Sequence, residues 1–213
     1  MQTEDRDRHG WASIGDGTGI TLVDGEHWEQ VGRRAGVPDP YRAKAAFFCG
    51  ALREFLTTAR LCLDARAYLG TSLLLMPPLE VFGRCVTGDQ AEGRRGRIRE
   101  GVGLLNQLQR GAAMAPLDSE PITRLRNFVA GGAVAMDPED PAQLDRPTLD
   151  RLGRGLALAL DQYWDSQQRR VSFAGTKLTA LQAAGNPIYI ADMAGHFASG
   201  HRPSDGLAWA LPE

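Results

Sequence analysis

Residues 48–63 read FCGALREFLTTARLCL, and this stretch decides the fold that the sequence predicts. Asp39 and Pro40, shortly before it, fit an N-cap followed by proline at the first helical position. A spacing of three or four residues between apolar side chains matches the turn of an α-helix and places them on one face. The side chains with this spacing are Phe48, Leu52, Phe55, Leu56, Ala59, Cys62 and Leu63. We therefore expect a long amphipathic helix that packs against other helices.

Four further helices are expected after it. Residues 68–86 are almost entirely apolar, which predicts a second helix at the centre of the molecule. Pro77 and Pro78 must kink or interrupt that helix, because proline lacks the N–H that the helical ladder needs. A third helix is expected from about residue 92 to 113, a fourth capped by Ser119, and a fifth opened by Pro147. Amphipathic helices joined by short loops are typical of a bundle, so the fold class is predicted to be all-α.

Three zones divide the chain. Residues 1–36 are rich in glycine and aspartate, and two short β-prone runs flank residues 15–19 (GDGTG), which favours a β-hairpin. The same glycines could suggest a phosphate loop, but no helical pattern follows directly and the Walker lysine is absent. Residues 37–170 form the predicted bundle. Residues 171–213 are weakly patterned and are predicted to be a C-terminal extension, so small irregular or β additions flank the helices.

Composition limits the classes of function. The chain has 213 residues and a formal charge of −2, so it has no basic field that would attract nucleic acid at a distance. Cys49, Cys62 and Cys85 form no C-x-x-C pair, which argues against a disulfide framework and a zinc site. No apolar segment follows the charged N-terminus, and residues 68–76 are too short to cross a bilayer. We expect a cytoplasmic protein without membrane contact and without a cofactor.

The most informative motif is LRNFVAGG, residues 125–132, on the predicted fourth helix. It resembles the signature of the HEPN family, commonly R-N-x-x-A-H-G. The resemblance covers roughly residues 45–168 and includes the helix order, the leucine-rich second helix, the Arg126–Asn127 pair and the last helix at residues 149–164. It implies a HEPN-like bundle of about five helices and a homodimer.

One departure from that signature matters for function, because Gly131 stands where the family carries histidine. Active members of the family resemble metal-independent ribonucleases, in which the imidazole moves protons at the ribose 2′-hydroxyl and arginine steadies the phosphate. Glycine can supply no proton. The resemblance therefore implies a catalytically degenerate protein that binds RNA, a nucleotide or a protein partner, in a toxin–antitoxin or defence context. Arg126 would hold an anionic group and Asn127 would orient it.

Two alternatives remain open for Arg126. In the first, the chain is a ribonuclease in which Arg126 works with a non-canonical histidine, His196 or His201. In the second, it is a structural or assembly module, in which Arg126 pairs with an acid on a neighbouring helix and Asn127 satisfies a buried carbonyl.

A second candidate for an anionic partner is the arginine run of the third helix. Residues 92–110 hold five arginines and two glutamates, and the run itself consists of Arg94, Arg95, Arg97 and Arg99. Such a run is also typical of a solvated helix face, and no interleaved aromatic residue indicates base stacking. Asp192, His196 and His201 have metal-ligand chemistry, but glycines beside them favour a loop, and we predict no metal site.

Overall fold

The computed structural model describes residues 33, 36–37, 40–87, 93–110, 116–130, 144–166, 199 and 201–209. Within these residues the chain forms helices and no strand, which confirms the all-α prediction for this part. The helices are α1 (Pro40–Asp64), α2 (Tyr68–Thr87), α3 (Gly93–Leu108), α4 (Ser119–Ala130) and α5 (Arg146–Ser166). The expected hairpin of residues 1–36 and the β additions near the C-terminus lie outside the described residues.

Helix α2 is the centre of the bundle, as its apolar composition predicts. It contacts each of the other four helices, and Leu75, Leu79 and Phe82 on its inner face are fully buried. The helix continues through Pro77 and Pro78, so the interruption expected as one outcome there does not occur. None of the described helices is both long enough and apolar enough to cross a membrane.

Helix α1 buries most of the face that its apolar spacing predicts, although Cys62 is only half-buried. Leu52, Leu56 and Leu63 are buried, whereas Phe55 is 37% exposed and lies at the edge of that face. In the N-terminal half of α1, the ring of Phe48 stacks on the ring of Tyr163 of α5, with 4.2 Å between the ring centroids. It also meets the ring of Phe82 of α2 edge-on, with a centroid distance of 6.0 Å. Because aromatic pairs with these geometries are favourable, this cluster ties three helices together.

Aspartates cap two of the helices. The Asp118 carboxylate accepts a hydrogen bond from the Glu120 amide at 2.9 Å. The expected cap, Ser119, is instead the first residue of α4. Asp145 accepts from the Thr148 amide at 2.9 Å at the start of α5, and the hydrogen bonds of Thr148 lower the pKa of Asp145. Each carboxylate satisfies an amide that the first helical turn leaves without a partner.

Helices α2 and α3 cross so closely that two positions require glycine. A Cβ at Gly83 would overlap the carbonyl oxygen of Arg97, and a Cβ at Gly101 would lie 2.6 Å from the Leu79 carbonyl oxygen. The backbones can therefore touch only because neither residue has a side chain.

Residues 201–209, which we call the C-terminal segment, pack onto the bundle and belong to the predicted C-terminal extension. Trp209 is 3% exposed and is part of the same hydrophobic core as the helices. The end of the described chain therefore contributes to the core of the bundle and is not merely an appendage.

Candidate functional site

Arg126 lies on α4 and forms an ion pair with α2. Its Nε donates a hydrogen bond to Oε1 of Glu80 at 2.8 Å. The two side chains are 13% and 26% exposed, so the pair is partly shielded from water. A charged hydrogen bond of this length is among the stronger contacts in proteins. The guanidinium thus has an internal partner, as the structural alternative for Arg126 expects.

Asn127 touches the same guanidinium from within α4. Its Oδ1 lies 3.4 Å from Nη1 of Arg126, a long and therefore weak hydrogen bond. Both residues of the motif are half-buried and adjacent. The position of Gly131, where the family signature has histidine, lies outside the described residues.

Glu80 limits what this pair can do chemically. A carboxylate at 2.8 Å neutralises the guanidinium and repels a phosphate that approaches the same group. An anion would bind to Arg126 through Nη atoms that Glu80 does not occupy, or after Glu80 has moved. The arrangement ties α2 to α4, and it is poorly suited to holding a free anion.

Glu80 was missed by the sequence reasoning, although a signal for it exists. It is the only acidic residue within α2, whose other residues are mostly apolar. A carboxylate in such surroundings needs a partner, because an unpaired buried charge costs several kcal/mol. A lone acidic residue in an apolar helix therefore predicts a basic residue on a neighbouring helix.

In the arginine run of α3, the structure describes the side chains of Arg97 and Arg99. Arg99 is exposed and lies 3.6 Å from Glu100. Arg97 is half-buried, and its Nε is buried without a hydrogen-bond partner. Arg94 and Arg95 are part of α3, but their side chains lie outside the described residues. Among the described contacts, neither Arg97 nor Arg99 pairs with α4.

The histidines give no site in the part of the chain that the structure describes. Nδ1 of His201 lies 2.7 Å from the Ser199 hydroxyl, and His196 falls outside the described residues. No group of three or more histidine, cysteine, aspartate or glutamate side chains is placed to hold a metal ion there. The described cysteine in the core, Cys49, is fully buried, and this burial raises the pKa of its thiol.

An apolar surface lies on the outer side of α2, and we call it the outer stripe. It consists of Leu69, Leu73 and Pro77, one turn apart, and leads towards Glu80. The two leucines are 44% and 42% exposed. Large apolar side chains that are grouped on a surface mark contacts with other molecules more often than isolated ones do.

No protein-family model, curated protein or solved structure matches this chain.

Proposed function

We propose that the protein is a catalytically degenerate, HEPN-like helical bundle that works by binding a protein partner. Two features support a role without catalysis. The sequence has Gly131 where an active relative would carry the proton-transferring histidine. Arg126, the other residue expected to act on a phosphate, is bonded to Glu80 within the bundle.

The outer stripe of α2 supports a protein partner most directly. Leu69, Leu73 and Pro77 offer an apolar strip of about two helical turns, which water solvates poorly. An RNA surface would instead favour arginine, lysine and stacked aromatic residues. The outer stripe has none of these, so its chemistry fits an apolar helix of another protein chain.

The pattern of residues around the outer stripe favours a second copy of this chain as that partner. Leu69 and Pro77 are each four residues from Leu73, on either side of it. If two α2 helices pack antiparallel around a twofold axis at Leu73, Leu69 of one copy faces Pro77 of the other. Such an interface is self-complementary in apolar contact. The homodimer is therefore the assembly that we propose.

The test is the mass of the protein in solution. We expect the parent protein to dimerise and Leu73→Glu to be monomeric, because two glutamates would meet at the axis and desolvate there. Thr57→Glu, at an exposed position of α1, introduces the same charge away from the outer stripe and should leave the dimer intact. Analytical ultracentrifugation measures both. A monomeric parent protein would contradict the proposal. So would a dimer that survives in the Leu73→Glu/Trp209→Ala double variant, where exchange of the C-terminal segment between copies is also weakened.

RNA is the competing partner, and a separate experiment addresses it. The purified protein is titrated with single-stranded RNA and also incubated with it to detect cleavage. Arg126→Ala, His196→Ala and His201→Ala are measured in parallel. RNA binding or cleavage that a folded Arg126→Ala variant loses would support the ribonuclease or RNA-binding alternative. It would overturn the protein-partner proposal.

A further inference from the structure

The C-terminal segment occupies a groove between α1 and α5. The helix residues that contact the segment are Arg53, Leu56 and Arg60 from α1 and Gly153 and Asp161 from α5. More than thirty residues of chain, residues 167–200, separate the end of α5 from this segment. The segment therefore meets the helices as a linear peptide that arrives from elsewhere in the sequence.

Much of the recognition uses the main chain of the segment. Nη1 of Arg53 donates to the carbonyl oxygen of Asp205 at 2.8 Å and also to that of Pro203. Asp161 accepts a hydrogen bond from the Ser204 amide at 2.8 Å and another from the Ser204 hydroxyl at 2.6 Å. Contacts of this kind hold a peptide in register, and the hydroxyl contact adds a preference for serine.

Trp209 anchors the other end of the segment. Its Nε1 donates to the Leu56 carbonyl oxygen at 3.1 Å, and the Arg60 guanidinium lies 5.5 Å from the ring centroid. The indole fills the space that a side chain at Gly153 would take. A buried aromatic anchor in a fitted slot is the usual source of affinity in peptide recognition.

The segment also fixes its own shape between these two ends. The Arg202 amide donates to the Asp205 carboxylate at 2.8 Å, and the Asp205 amide donates back to the Arg202 carbonyl at 3.0 Å. A second turn follows, in which the Leu207 amide donates to the Ser204 carbonyl at 3.0 Å. Gly206 has a φ of +74°, a conformation that favours glycine. A peptide that forms its own turn loses little conformational entropy on binding.

We propose that the groove between α1 and α5 is a peptide-recognition site for a Pro-Ser-Asp-Gly turn followed by tryptophan. In this structure the chain's own C-terminal segment fills the site. The same segment from a second copy is the partner that we assign to it. A chain as long as residues 167–200 can span about 110 Å when extended, so its length does not confine the segment to its own bundle. This inference is independent of the outer stripe and of the function proposed above.

The test adds the C-terminal segment as a separate peptide. A synthetic peptide of residues 199–213 is titrated by calorimetry into the full-length protein and into full-length Trp209→Ala, whose own segment lacks its anchor. We expect Trp209→Ala to bind the peptide roughly 100-fold more tightly than the parent, because a tethered segment competes at a high effective concentration. A folded Trp209→Ala that binds no peptide would overturn the proposal.

Two matched controls define the groove. A peptide in which Trp209 is replaced by alanine should not bind. Adding Asp161→Asn to Trp209→Ala should weaken binding of the intact peptide by roughly tenfold, because one charged acceptor of Ser204 is lost. If Trp209→Ala does not fold, Ser204→Ala in the full chain replaces it, since this change removes only the hydroxyl contact. Peptide affinity that is unchanged by Asp161→Asn and by loss of the peptide's tryptophan would also contradict the inference.

Discussion

The Arg126–Glu80 pair shows how one residue can match a functional motif and still act within the fold. Its carboxylate and guanidinium come from different helices and are held at 2.8 Å in a partly shielded environment. Removing one partner of such a pair lowers the stability of the fold, because the remaining charge is left poorly solvated. Its partner could not be read from the motif itself, since Glu80 lies 46 positions earlier in the chain.

A double-mutant cycle measures this pair. We expect Arg126→Ala to lower the free energy of unfolding by about 1 to 2 kcal/mol, between the values for exposed and fully buried pairs. Glu80→Ala should have a similar effect, and the double variant should be little worse than either single variant. Urea denaturation gives the three values. Arg124→Ala serves as the control, because its pair with Glu120 is exposed and 3.8 Å long. Additive losses would show that the pair is not coupled.

Asp161 makes stability depend on pH. Burial raises the pKa of Asp161, and this effect outweighs the hydrogen bonds from Ser204 and the nearby Arg202. A carboxyl whose pKa is higher in the folded state binds its proton more readily there than in the unfolded chain. Its contribution to stability is therefore present at low pH and is lost as the pH rises through the folded pKa.

The prediction compares the parent with Asp161→Asn, which carries no titrating group at this position. As the pH rises from about 4, near the pKa of an unperturbed aspartate, the parent should lose stability relative to Asp161→Asn. Urea denaturation of both proteins at several pH values measures the difference in the free energy of unfolding. Taking this difference cancels the contribution of the carboxyls that both proteins share, including Asp145. A difference that stays constant or reverses its slope would contradict the role of burial at Asp161.

At the scale of elements, the local spacing of apolar residues predicts where the helices form. It does not predict how the helices cross. The spacing of Leu52, Leu56 and Leu63 predicts the buried face of α1, and the structure confirms it. The close crossing of α2 and α3 depends on two glycines, Gly83 and Gly101, that are far apart in sequence. From the local sequence, each glycine is expected only to destabilise its helix, because glycine has a low helix propensity. Their use becomes evident only when both helices are in place.

Gly83→Ala tests this crossing. The added methyl would overlap the Arg97 carbonyl oxygen, so the two backbones must separate. We expect a loss of about 3 kcal/mol in the free energy of unfolding, at the upper end of the cost of overpacking. Gly103→Ala is the matched control on α3, because a methyl there meets nothing within 4 Å. The control should gain about 0.5 to 1 kcal/mol from helix propensity. Equal effects at both positions would contradict the close crossing.

At the scale of the whole molecule, the bundle includes a peptide that its helical pattern does not predict. Residues 201–209 carry no periodic apolar face, and their place depends on the side chains of Arg53 in α1 and Asp161 in α5, which lie more than forty positions away. A sequence pattern reports on neighbours along the chain, so contacts over this separation are not encoded in it. For the same reason the all-α fold class was predictable, whereas the place of Trp209 in the core was not.

Hydrogen exchange tests whether the C-terminal segment opens separately from the helices. If the C-terminal segment can leave its groove while the helices stay folded, its amides should exchange through a partial opening. We expect the Ser204 and Leu207 amides to be less protected than the central amides of α5. Asp161→Asn should lower their protection further and leave α2 unchanged. Mass spectrometry of proteolytic fragments measures this, and equal protection of the segment and α5 would show that they open only together.

The indole of Trp209 also gives the protein a built-in optical reporter. It is shielded from water, donates to a carbonyl oxygen and lies beside a guanidinium, whereas an indole in solvent has none of these neighbours. Its fluorescence emission should therefore shift to longer wavelength whenever the segment leaves the helices. Because the chain has four tryptophans, the signal of Trp209 is the difference between the emission spectra of the parent protein and of Trp209→Phe.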